Sequence, residues 1–257
     1  MAKVHKTAIV ADGAKIADDV EIGPYSIISA NAEIGSGTVI GPHVVIDGYT
    51  KIGAGCRIFQ FASLGSQTQD LKYKGGITRI EIGDKTTIRE YVTVNSGTND
   101  GETTYVGSGC LLMANSHVGH GCKVGNGVIM ANSVALAGHV IVQDFAIIGG
   151  LSGVHQFVTV GKMCIIGGLT KVTQDTPPFM MIDGNPAAVR GINSVGMGRR
   201  GISEQGQAAI KECFKILYMR KLTTTQAVQE IAEKFTGVPE VEQLLSFIKS
   251  SERGILK

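Results

Sequence analysis

Four of the six histidines in this chain, His117, His120, His139 and His155, lie between positions 117 and 155 of 257. Imidazole titrates near neutral pH, so such a group suits two kinds of chemistry. Three neutral rings converging on one point can hold zinc with an open position. Alternatively, one ring takes a proton from a substrate hydroxyl while the others bind and orient. Histidine also serves structurally, and that is the expectation for His5 and His43. A cluster is harder to explain that way, because imidazole is an awkward core residue and nothing in a tight turn requires it.

The elements that must position these side chains follow from a period of six. Apolar residues recur from Val4 through Val10, Ile16, Ile22 and onward to Val172, and of the 29 positions in this frame only Asp70, Gly76 and Asp100 are not apolar. Six fits neither the 3.6 residues of a helix nor a plain alternating strand, but suits a short strand followed by a turn, repeated as a solenoid. Gly often follows the apolar residue, as in Ile22-Gly23, Ile34-Gly35, Ile40-Gly41 and Val106-Gly107, which suits a tight turn with positive φ. The exceptions mark two loops, expected near 68–80 and 98–105. Asp70 and Lys72 lie in the first, which reads as a binding loop.

If three hexapeptides make one coil, residues 18 apart stack at about 4.8 Å. His120 then lies below position 138, beside His139, and two coils below Gln156, beside His155. One ladder thereby gathers the histidines.

Composition agrees with stacked small and branched residues: 35 Gly, no Trp, 5% aromatic. No apolar run is long enough to span a membrane, and a register that starts at Val4 leaves no room for a signal peptide. A soluble, cytoplasmic protein is expected. Five cysteines without a Cys-x-x-Cys pair predict reduced, buried thiols, and a net charge of +2 argues against nucleic-acid binding.

Beyond Val172 the period changes. Asp175-Thr176-Pro177-Pro178 breaks the pairing. Ser203 reads as an N-cap before Ile210, Cys213, Phe214 and Leu217, while Thr223 with Gln226 makes a capping box before Val228, Ile231 and Phe235. A third helix carries Val241, Leu244, Leu245 and Ile248. The expected division is a β-solenoid over 1–190 and a helical domain over 191–257. From Arg199 to Lys221, Arg199, Arg200, Lys211, Lys215, Arg220 and Lys221 face only Glu204 and Glu212, a surface that would steer an acidic partner.

The segments Gln69-Asp70-Leu71-Lys72-Tyr73, Asn115-Ser116-His117-Val118-Gly119-His120, Leu136-Ala137-Gly138-His139-Val140, Val154-His155-Gln156-Phe157 and Arg199-Arg200-Gly201, in this order, resemble the acyl-ACP:UDP-N-acetylglucosamine O-acyltransferases that begin lipid A synthesis. The resemblance runs from the first repeat to the C-terminal helices. It implies a mainly β fold, a left-handed parallel β-helix with a small helical domain, and a homotrimer with active sites between subunits. It also implies transfer of a 3-hydroxyacyl chain from acyl carrier protein to the sugar 3-hydroxyl, with the phosphopantetheine of the carrier holding the acyl group and no cofactor of the enzyme's own.

By motif, His120 matches the general base. Asp70, Lys72, His117, His139, His155, Gln156 and Asn193 match groups that hold the sugar nucleotide or the thioester arm, and Arg199 and Arg200 groups that meet phosphate. Gly168 and Lys171 match positions that set acyl length, and they conflict: Gly168 leaves room for a long chain, whereas Lys171 would close the groove earlier. The zinc-binding hexapeptide relatives, the gamma-class carbonic anhydrases, carry a His-x4-His pair that is missing here, so no metal is expected. Asn95 stands where the family often has His, Val195 where it has an acidic residue, and Gly75-Gly76-Ile77-Thr78 where it has Gly-Glu-Pro-Thr. A related branch accepts a 3-amino sugar, so that acceptor stays open, as does another hexapeptide acyl- or acetyltransferase activity. The N-acyltransferase acting later in the pathway carries an additional N-terminal domain, which a repeat beginning at Val4 excludes.

Overall fold

A computed structural model describes residues 1–257. The chain winds as a three-faced parallel β-helix. Its first face runs from Lys3–Val4 to Ile165–Ile166 and is extended by two further strands. The second runs from Ile9–Val10 to Lys171–Val172, and the third from Lys15–Ile16 to Thr159–Val160. Frame residues point inward: Ile28, Ile46, Leu64, Val94, Val118, Leu136 and Val172 are fully buried, while Val4 at the open end is 44% exposed. Burying each such side chain stabilises the stack by about 1.5–3 kcal/mol.

Successive coils pair 18 residues apart, as in Lys3↔Glu21 and His117↔Ala135. Two places depart. Ser63 pairs with Thr93, 30 positions on and so 12 more than one coil, and Thr93 pairs with His117, 24 on and so 6 more. These surpluses are two hexapeptides and one, which accounts for the frame losing its apolar residue twice, at Asp70 and Gly76, and then once, at Asp100. The loops span 67–78 and 96–102. Residues 103–106 are strand, so the second loop closes earlier than expected.

A second inward row, two residues before the frame, was not anticipated. Val20, Ala32, Val44, Val92 and Val128 lie there beside Cys56, Cys110, Cys122 and Cys164, all buried. Ser and Thr in this row bridge coils: Thr38 Oγ1 donates to Gly53 O (2.8 Å) and accepts from Cys56 N (3.1 Å). The cysteines fill corners where a small side chain fits.

The glycines after the frame residues have a different cause from the one expected. Gly23 and Gly107 do not have positive φ; a Cβ on either would lie 2.6–2.9 Å from the backbone of the next coil, at Gly41 and Gly125. The left-handed backbone falls two residues later, at Tyr25, His43, Phe61, Tyr91 and His139 among others. On the third face, Lys15, Glu33, Lys51 and Glu81 form an outward row of alternating sign, with Lys15 Nζ 2.6 Å from Glu33 Oε1.

The end of the β-helix is a hairpin. Met180–Asp183 pairs with Ile166's coil and, antiparallel, with Ala188–Ile192, which carries the β-helix two residues past the expected boundary. Four helices follow: α1 (Ser194–Arg199), α2 (Glu204–Phe214, continued by a wider turn over Lys215–Met219), α3 (Thr224–Lys234) and α4 (Pro239–Ser250). Ser203 caps α2 and Thr223 with Gln226 closes the capping box of α3, as read from the sequence. Helix α1 was not foreseen. No helix is long and apolar enough to cross a membrane.

Candidate active site

The histidine ladder forms at the corner between the second and third faces. His120 follows the strand His117–Val118, and its ring lies over Gly138 of the next coil: a Cβ there would sit 2.1 Å from His120 Nε2. Glycine at 138 therefore makes room for the ring. His139 donates its backbone N–H to His120 O (2.8 Å), meets the His120 ring edge-on with centroids 5.0 Å apart, and stacks on Phe157 at 5.1 Å. His117 lies one strand position before Val118, and its Nδ1 is 2.7 Å from Thr93 Oγ1. Gln156 sits on the His120 ladder two coils up, exposed. His155 is exposed beside it, its Nδ1 3.1 Å from Gln156 O.

Both loops reach this corner and brace each other. Thr68 and Thr98 share a hydroxyl hydrogen bond (3.1 Å), Thr78 donates to Ser96 (2.9 Å) and Ile77 N donates to Asp100 Oδ1 (2.7 Å). Asp70 uses Oδ1 to accept from Lys72 N (2.9 Å), leaving Oδ2 3.6 Å from His120 Nε2. Glu102, at the end of the second loop, places Oε1 3.3 Å from His139 Nδ1. That residue was missed from sequence. The signal was available in the lost frame at Asp100, which marks the loop that delivers it.

Electrostatics keep the two enclosed rings uncharged. Burial first, and His139 second, hold the His120 imidazole below its ordinary value; Lys72 acts in the same sense, and the carboxylates of Asp70 and Glu102 act against them. Burial, then His120, lowers His117. Both rings are therefore neutral near pH 7, with a carboxylate within reach of His120 to compensate a proton once it arrives.

Asn193, Arg199 and Arg200 lie elsewhere, at the corner between the third and first faces. The Arg200 guanidinium sits 4.1 Å above the Phe145 ring, and with Arg199 it lines a cleft of about 200 Å³ with Gly127, Ile129 and Met163. Asn193 is 6% exposed and its amide is engaged within the chain. It caps α1 by accepting from Gly196 N (2.9 Å) and donates to Met163 O (2.8 Å), so it positions the turn that carries the arginines. One chain thus splits the expected site residues into two groups on separate corners.

Lys171 stands exposed on the ladder His117, Ala135, Gly153, Lys171, three rungs or about 14 Å from His117. Only the small residues Ala135 and Gly153 lie between. Gly168 is exposed at the adjoining corner, against Gly150 O. Asn95 is buried and donates to Gln67 O (3.1 Å), tying the strand before the second loop to the start of the first. Val195 is 63% exposed on α1.

Known proteins share this architecture from end to end. Residues 175–256 match the family model for domain 2 of UDP-N-acetylglucosamine O-acyltransferase, and 13–48 and 103–138 match bacterial transferase hexapeptide repeats. The acyl-[acyl-carrier-protein]--UDP-N-acetylglucosamine O-acyltransferase of Thiobacillus denitrificans is 53% identical over the whole of both chains. The chain belongs to this acyltransferase family. Its relative of the same name in Anaeromyxobacter dehalogenans is 46% identical over 99% of each chain. The solved LpxA of Acinetobacter baumannii superposes with a TM-score of 0.95 at 44% identity, covering 99% of each chain, and the UDP-N-acetylglucosamine acyltransferase of Campylobacter jejuni with 0.92 at 38%. The left-handed sense of the coil, implied by the family resemblance, goes with that likeness.

Proposed function

We propose that this acyltransferase moves an (R)-3-hydroxyacyl chain from acyl carrier protein to the 3-position of UDP-N-acetylglucosamine, the first step of lipid A biosynthesis, with His120 as general base. The reading is carried by one observation: a neutral, largely enclosed imidazole with the Asp70 carboxylate 3.6 Å from Nε2. The sugar oxygen attacks the thioester carbonyl as His120 takes its proton. The C–O bond forms, the C–S bond breaks, and the proton passes to the departing pantetheine thiolate. Asp70 compensates the charge of the imidazolium in between.

Direct transfer is supported by the state of the thiols. All five cysteines are buried, and burial pushes Cys122, Cys164 and Cys213 up to about 12, so none offers a thiolate for an acyl-enzyme. Arg199 and Arg200 suit the diphosphate, and the row of small residues from His117 towards Lys171 suits the acyl chain.

The two separate groups of site residues support a homotrimer in which the histidine corner of one subunit faces the arginine corner of the next. For the carrier protein, the helical surface is less basic than its sequence suggests. Glu212 engages Lys215, Arg220 and Lys234, and Glu230 from α3 also pairs with Arg220. Arg199, Arg200, Lys211 and Lys221 remain for steering an acidic partner.

The test is product mass spectrometry with UDP-N-acetylglucosamine, its 3-amino analogue and a panel of 3-hydroxyacyl carrier proteins. An acylated sugar is expected, its ester or amide linkage naming the acceptor. No acylation from any carrier-bound donor would overturn the reading.

A further inference from the structure

The mechanism above leaves one carboxylate beside the histidines unused. Glu102 is 19% exposed in its side chain, and three features of the chain hold it where it is. Its Oε2 accepts from Thr98 N (2.5 Å) and Asn99 N (3.0 Å), which turns the loop around it. Gly97 clears its path: a Cβ there would lie 2.6 Å from Glu102 Cβ. Gly121, the residue after His120, leaves open the space at its tip. A Cβ on Gly121 would stand 2.5 Å from His139 Nδ1 and 2.7 Å from Glu102 Oε1 at once. A side chain after the base would therefore displace both partners.

We propose that Glu102 is a positioning residue for the acyl transfer, acting through His139 on His120. The proposal rests on His120 being the base. The carboxylate lies 3.3 Å from His139 Nδ1, which favours a proton on that nitrogen, and the ring so held meets the His120 ring edge-on. Phe157 on one side and the His120 ring edge on the other fix the plane of that imidazole. The loop also sets a second negative charge near His120. The groups facing His120 are then His117, His139 and Lys72 on one account and Asp70 and Glu102 on the other.

Glu102→Gln separates positioning from loop support, because the amide oxygen still accepts from the two loop N–H groups while the charge is gone. Removing that charge takes away something that raises the His120 pKa, so the imidazole becomes a weaker base that stays neutral to lower pH. The expected result is an acid limb of kcat moved to lower pH and a plateau down roughly tenfold, well short of the loss of the base itself, with the melting temperature unchanged. An acid limb that does not move overturns the proposal, whether or not the rate falls. Should Glu102→Gln not fold, Glu102→Asp withdraws the charge by one methylene, and the limb must move in the same direction by less. A parallel His120→Ala enzyme distinguishes the two readings: wild-type kcat there would defeat the base assignment, independently of what Glu102 does.

Discussion

His43 and His139 occupy the same place in the hexapeptide. Each lies three residues after an inward apolar side chain, each has positive φ (56° and 58°), and each stacks on an aromatic ring of a neighbouring coil. Around His43 the row is Tyr25, His43, Phe61 and Tyr91, with ring centroids 4.9–5.2 Å apart. No carboxylate approaches it. Around His139 the same corner geometry is met by Glu102 at Nδ1 and by the His120 ring. The periodic body gives both corners the same backbone, and the difference arises in the two loops, which bring charge to one corner alone. Residue type and ladder position do not distinguish the two histidines; the interruptions of the ladder do.

The comparison breaks most sharply at His120. His120→Ala should lower kcat by roughly 10²–10⁴, while His43→Ala should leave kcat unchanged; steady-state kinetics on the pair checks this, and a fall confined to KM would remove His120 from the chemistry. Next in size is Gly138→Ala, which adds a methyl 2.1 Å from His120 Nε2 without requiring a left-handed backbone. We expect kcat to fall about 10-fold or more as the ring is pushed aside, with little change in melting temperature. A rate near wild type would mean that the ring need not lie over position 138. Smaller again is subunit mixing: inactive His120→Ala and Arg200→Ala chains, co-assembled, should recover roughly a quarter of wild-type activity if each site takes one corner from each of two subunits. No recovery would assign both corners to one chain. The smallest effect belongs to the inert corner, where His43→Ala should cost about 1 kcal/mol of stability through lost stacking, read from thermal melts.

Most of the fold was legible because its period is enforced by close contact. Inward residues every six positions must be apolar, so Asp70, Gly76 and Asp100 announced the loops, and the helix caps at Ser203 and Thr223 are local chemistry. The glycines after the frame residues were read correctly as constrained but for the wrong cause, since the approach of the next coil is a tertiary fact. The ladder of His120, Gly138 and Gln156 came from spacing alone. Glu102 did not, because a loop residue's partner depends on how the loop folds back. Asn193 matched a binding motif, yet its amide is engaged by Met163 O and by the start of α1, a short helix that the sequence pattern does not mark. One acidic partner of Arg220 was likewise hidden: Glu230 lies on α3 and comes adjacent only once that helix packs.

The alternating row Lys15, Glu33, Lys51 and Glu81 bears on how such a chain finds its winding. A solenoid of near-identical turns can skip one during folding and still bury apolar side chains. Here a skipped turn would set Lys15 against Lys51, or Glu33 against Glu81, replacing attraction worth a few tenths of a kcal/mol per rung with repulsion of similar size. The outer surface thereby checks the count of turns that the uniform interior does not distinguish.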